Sequence, residues 1–121
     1  MVKRHHYDNL CDWVLDSGAT SHMSYDRSSI EELRKLPKPK KVLLRNDMPV
    51  GAYVIGTIRL APELVLQRVL YVPALTTMLC SVRELSREGY EVLFRGDECV
   101  IPHKGYEIAR AKGEDLYILE E

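Results

Sequence analysis

Apolar residues in this chain fall in short blocks separated by turn formers. The first block, Trp13-Val14-Leu15, sits between Asp12 and Asp16 and reads as a short strand buried on both faces. It runs straight into Asp16-Ser17-Gly18-Ala19-Thr20, a turn of small residues. Further on, Ser28 with Glu31, or Ser29 with Glu32, fits a capping box, which predicts a short helix that Pro37 ends. Lys38-Pro39-Lys40-Lys41 then reads as a solvated basic connector.

From Val42 onward the pattern is β-rich. Val42-Leu43-Leu44-Arg45 and Ala52 to Leu60 form two candidate strands, joined through Asn46-Asp47-Met48-Pro49-Val50-Gly51. Together they predict a long hairpin over about 42–60 with a flexible, partly apolar tip. Leu64 to Val72 is the next strand, and a loop from Pro73 leads to Met78-Leu79-Cys80. Ser81 with Glu84 is a second capping box, and its helix should stop at Gly89. Tyr90 to Phe94 is another strand, and short strands separated by turns follow over about 97–119. The total is about seven or eight strands and two short helices, a mainly β barrel-like or sandwich-like fold.

Composition narrows the classes. At 121 residues the chain has the length of a single domain, 1–121, with one core that needs no disulfides. Hydrophobic residues at 45% and charged residues at 29% are ordinary for a soluble globular protein. With 17 basic and 18 acidic residues the net charge is −1, which argues against a dedicated nucleic-acid-binding domain. Six basic residues and no acidic one fall between Arg34 and Arg45, a stretch best read as solvated surface. No apolar run reaches the ~20 residues that span a bilayer, and no signal-peptide core follows the basic start, so no membrane partner and a cytoplasmic location are expected. Cys11, Cys80 and Cys99 lack a C-x-x-C spacing. A zinc site drawing on His5, His6, His22 or His103 would follow no recognised pattern, so no metal and no cofactor is expected.

The chemistry concentrates between Trp13 and His22. An apolar strand delivers Asp16 into a turn where Gly18 lets another backbone approach and where the Ser17 and Thr20 hydroxyls can orient the loop. That logic suits an aspartic peptidase, in which two carboxylates share one proton. One takes a proton from a bound water while the other donates to the scissile carbonyl. The chain holds a single Asp-Ser-Gly-Ala-Thr and no second Asp-Ser-Gly or Asp-Thr-Gly. The second carboxylate must therefore come from another copy, with Asp16 on the axis of a two-fold homodimer.

The chain resembles the protease of copia-type LTR retrotransposons, a branch of the retropepsin-like aspartic peptidases. The resemblance is carried by Trp13-Val14-Leu15-Asp16-Ser17-Gly18-Ala19-Thr20-Ser21-His22-Met23-Ser24, then Val54 to Leu60, Val69 to Leu75, Met78 to Leu85, Gly89 to Phe94 and Leu116 to Leu119. It implies a retropepsin-like acid-protease barrel with one or two short helices, active as a symmetric homodimer. Asp16 matches the catalytic aspartate. Ser17 matches the hydroxyl that braces the two active-site loops across the dimer, and Gly18 and Ala19 match backbone lining the substrate. The hairpin resembles the flap, placing Met48, Val50, Gly51 and Tyr53 toward substrate. Ser81 stands where many retropepsins carry glycine before their helix. The resemblance also implies a polypeptide substrate, the enzyme's own Gag-Pol polyprotein, and a setting that includes virus-like particles. Two departures stand out. Met48-Pro49 replaces a more glycine-rich flap tip, and Cys80 occupies a common leucine position.

Two other readings compete. Asp16-Ser17-Gly18-Ala19-Thr20-Ser21 also fits a phosphorylation-dependent degron, but that needs an exposed disordered segment, and the apolar strand before it argues against one. A domesticated, non-proteolytic dimer used for binding or assembly is the stronger rival, though such a role would not require Asp16. For His22 a structural hydrogen bond near the loop is expected, and Tyr53, Tyr71 and Tyr90 are expected to pack.

Overall fold

Short apolar blocks bounded by turns give strands here, and most of them are completed by partners far away in sequence. The computed structural model describes residues 10–44, 46–113 and 116–120, the Cys11 side chain excepted. The described strands are β1 (Trp13–Asp16), β2 (His22–Ser24), β3 (Glu31–Leu43), β4 (Pro49–Ala61) and β5 (Leu64–Tyr71). They continue with β6 (Met78–Ser81), β7 (Leu93–Arg95), β8 (Glu98–His103), β9 (Tyr106–Lys112) and β10 (Tyr117–Leu119). One α-helix, α1 (Val82–Arg87), follows β6, and two 3-10 turns lie at Leu10–Asp12 and Arg27–Ser29. The fold is mainly β. All ten strands join one sheet in the order β3-β4-β5-β2-β6-β1-β10-β9-β8-β7.

The centre of that order positions the site. β1 and β2 are consecutive in the chain yet do not pair. β6 lies between them, parallel to β1 with Asp16 opposite Ser81, and antiparallel to β2 with Met23 opposite Leu79. The loop from Asp16 to Ser21 must therefore cross the end of β6. β1 is flanked on its other side by β10, so Trp13, Val14 and Leu15 are buried, which accounts for a strand with no polar face. One core cluster gathers Trp13, Leu15, Ile58, Leu66 and Leu85, and a second holds Met23, Val42, Ala52, Ile55, Leu70 and Val72.

The helix expected from Ser28 to Pro37 is not formed. Asp26 caps a single 3-10 turn, accepting from the Ser28 backbone at 3.1 Å and from the Ser29 hydroxyl at 2.6 Å, and Ile30 is already extended. From Glu31 the chain pairs antiparallel with β4. An isolated helix ending at Pro37 would be too short to stand without packing, whereas the ladder supplies partners along β3. The basic connector is part of the same strand. β3 is the sheet's outer edge, and Lys and Pro are the residues that suit an edge, because Pro37 and Pro39 have no ladder hydrogen to donate and lysines discourage pairing with another chain. Lys35 faces Val54 while Lys40 faces Ala52, so the segment between them bulges out of the ladder.

The hairpin thus runs from Glu31 to Ala61 and not over about 42–60. Arg45 lies outside the described residues. The tip is a closed turn: the Leu44 N–H donates to the Met48 carbonyl at 3.0 Å, and the Asp47 N–H to the Leu44 carbonyl at 2.9 Å. At the hairpin's base a side chain at Gly56 would sit 2.6 Å from the Glu31 carbonyl oxygen, so only glycine lets the two arms meet. Met78 to Ser81, to which the loop from Pro73 leads, is strand β6, and it fills the gap between β1 and β2. The strand expected at Tyr90 to Phe94 forms only at Leu93–Arg95. Tyr90 instead reaches β5, its hydroxyl accepting from the Val65 N–H at 3.0 Å. Ser81 caps α1 by accepting from the Glu84 N–H, and Gly89, at φ +93°, turns the chain out of it.

Candidate functional site

Asp16 ends β1 half-buried. Its Oδ1 accepts from the Gly18 N–H at 2.7 Å, closing the turn on the carboxylate. A Cβ on Gly18 would lie 3.3 Å from that oxygen, so glycine keeps the carboxylate uncrowded. Across the loop the Ala19 carbonyl accepts from the Ser81 hydroxyl at 2.7 Å. Ser81 therefore does two jobs, capping α1 and fastening the Asp16 loop to it.

A chain of buried polar groups continues behind the loop. His22 is fully buried. The Ser81 N–H donates to His22 Nδ1 at 2.9 Å, so Nδ1 offers its lone pair and the ring hydrogen sits on Nε2. Nε2 is 2.7 Å from Glu88 Oε1, and Glu88 Oε2 accepts from the Gln67 N–H at 3.1 Å. The imidazole is thus a structural link, as expected for His22, joining β5, the end of α1 and the Asp16 loop.

Asp16, Gly18, Ala19 and Thr20 line one wall of a cleft of about 440 Å³. Lys41, Val42 and Leu43 of β3 line the other. A second cavity of about 240 Å³ shares Leu44, Leu75 and Leu79 with the first and extends it as a groove toward Thr76. Lys40 spans the cleft, its ammonium donating to the Ser21 hydroxyl at 2.8 Å.

Not every residue singled out in the sequence reaches the cleft. Ser17 is exposed beside it. Met48, Val50, Gly51 and Tyr53 lie in β4 and the turn before it and do not line the cleft. The Tyr53 ring folds over Gly51, where a Cβ would come within 2.8 Å of the hydroxyl oxygen. The hairpin instead faces the cleft through Lys40 to Leu44, which in the sequence read as connector and strand. In the sequence these residues signal only a basic run passing into a short apolar strand.

Among the described residues the two buried cysteines, Cys80 and Cys99, do not offer a competing nucleophile. Burial pushes the Cys80 thiol far up, with Glu88 and Cys99 adding to it, and burial pushes Cys99 up to about 11. Both are free thiols. Among the described residues no group of three or more His, Cys, Asp or Glu side chains is placed to hold a metal, and no helix is long and apolar enough to cross a membrane. His5 and His6 lie outside the described residues.

The family model described as "Pol polyprotein, beta-barrel domain" matches residues 13–90. No curated protein and no solved structure matches the chain. The matched span begins at β1 and runs past α1, so it contains the Asp16 loop, the hairpin and the His22–Ser81–Glu88 chain, and it stops before β7. The chain belongs to the β-barrel domain family of Pol polyproteins, and so to the polyprotein of a retroelement.

Proposed function

We propose that this domain is the aspartic endopeptidase of its polyprotein, a retropepsin-like enzyme of the copia type that works as a symmetric homodimer in the cytoplasm or in virus-like particles. The observation that carries the reading is Asp16, held at a strand end by Gly18 and opening onto a groove suited to an extended polypeptide. Two Asp16 carboxylates, one per protomer, would share one proton. The ionised carboxylate takes a proton from water, and the water oxygen bonds to the scissile carbonyl carbon. The protonated carboxylate gives its proton to the carbonyl oxygen. The tetrahedral diol then collapses, the C–N bond breaks, and the amine leaves with a proton returned through the dyad. No metal or organic cofactor enters this scheme.

The pairing of β10 supports contact through the Asp16 face. Both its edges are taken within the chain, by β1 and β9, so the C-terminal strand is not free to build an intermolecular sheet. Ser17 and Thr20 are exposed close to Gly18, which supports the reading that their hydroxyls brace the partner's loop. The test is cleavage of a polyprotein fragment containing this domain by wild type and Asp16→Asn, with sedimentation on both. Cleavage lost in the variant while the dimer persists is the expected result. A folded wild-type dimer that cuts nothing would move the domain to the non-proteolytic binding role. A proton-sharing dyad also predicts a rate that peaks between mildly acidic and neutral pH, and a rate rising steadily to pH ~9 would contradict it.

A further inference from the structure

Beside the Asp16 cleft lies a smaller cavity of about 80 Å³, separated from it by the Lys40–Ser21 contact that lines both. Its polar lining is unusual for a chain of net charge −1. Lys40, Arg68 and Arg87 converge on it from β3, β5 and α1, and Glu84 is the one carboxylate among its lining residues. Glu84 is already engaged, 3.3 Å from Arg87. Among the described residues neither Lys40 nor Arg68 has a carboxylate partner. Leu36, Ile55 and Leu70 supply apolar wall. At about 30 Å³ per water, the space suits two or three waters or one carboxylate with its adjoining methylene.

We propose that this cavity is an anionic subsite that takes the side chain of a glutamate or aspartate from a polypeptide lying in the Asp16 cleft. The inference rests on the cleft being a polypeptide groove, but not on its hydrolysing anything. A carboxylate entering past Lys40 exchanges the Ser21 hydroxyl for a charge-assisted bond from the ammonium, and Arg68 offers a guanidinium fork that no carboxylate among the described residues occupies. The Ser21 hydroxyl, released from Lys40, becomes a further donor. The same movement frees β3 from the loop, so binding an acidic residue and opening the cleft wall are one event. A neutral isostere of the same shape gains neither.

The test uses the Asp16→Asn chain, which binds without cutting. Two blocked alanine–leucine octapeptides, one with a central glutamate and one with glutamine, are titrated by NMR at fixed ionic strength. The glutamate peptide should bind about tenfold tighter and shift the Ser21 and Arg68 amide signals. Arg68→Gln and Lys40→Met should each erase most of that preference, while Arg95→Gln, which removes a charge at the far sheet edge, should leave it. Equal affinity for the two peptides, binding by neither, or a preference surviving both substitutions would overturn the subsite. Failure of the wild type to cleave its polyprotein would sink the peptidase and leave this binding result standing.

Discussion

The two walls of the cleft are held in opposite ways. The Asp16 wall rests on a fully buried histidine, a serine with three hydrogen bonds and a strand inserted between two others. The β3 wall is an exposed edge strand, bulged between Lys35 and Lys40, whose described polar tie to the opposite wall is one lysine on one serine. In the proposed peptidase the reacting carboxylate would have to stay fixed to a fraction of an ångström, a need the buried network would serve. The polypeptide of the proposed function would have to get in, and a wall with few buried side chains can open at low cost.

Substitutions on the two walls should therefore differ in kind. His22→Ala should be the most damaging, because it strands the Ser81 N–H and takes the partner from Glu88; a loss of about 3 kcal/mol in urea unfolding is expected. Gly56→Ala, at the hairpin's base, should cost about 1–3 kcal/mol by forcing the two arms apart, read by the same method. Ser81→Ala removes both the helix cap and the tie to Ala19, and should cost about 1–2 kcal/mol while also slowing cleavage. Lys40→Met should change stability by no more than about 0.5 kcal/mol, yet raise hydrogen exchange in β3. A Lys40 variant as damaging as His22→Ala would erase the contrast between the walls.

The buried thiols give a further handle on the rigid side. The unfolded thiol pKa of 9.0 rises to about 11 for Cys99 on folding and rises for Cys80 as well. The folded chain then holds protons that the unfolded chain releases, so stability is full below pH 9 and declines as pH climbs toward 11. At pH ~8, alkylation followed by peptide mapping should find Cys80 and Cys99 unmodified until the chain unfolds.

What the sequence revealed was local. Trp13-Val14-Leu15 before Asp16-Ser17-Gly18 reads as strand into turn because the hydrophobic run and the small residues are contiguous. Ser81 and Glu84 mark a helix start because a cap is a three-residue geometry. The misreadings were nonlocal. Ser28 and Glu31 fit a capping box, but Glu31 pairs with Thr57, and nothing near Glu31 announces that partner. His22-Met23-Ser24 is too short to carry a strand pattern and is a strand only because β5 and β6 flank it. Lys40 was legible as a charge in a basic run. Its place across from Ser21 depends on the bulge in β3, which no local spacing encodes.

In the proposed enzyme one active site is built from two copies of Asp16. Mixing tests it most directly: wild type at fixed concentration, with dimers in exchange, is titrated with Asp16→Asn chain. A shared dyad predicts that activity per wild-type chain falls in proportion to the wild-type fraction, as mixed dimers capture active protomers. Activity per wild-type chain that stays constant as the variant is added would show that each chain works alone.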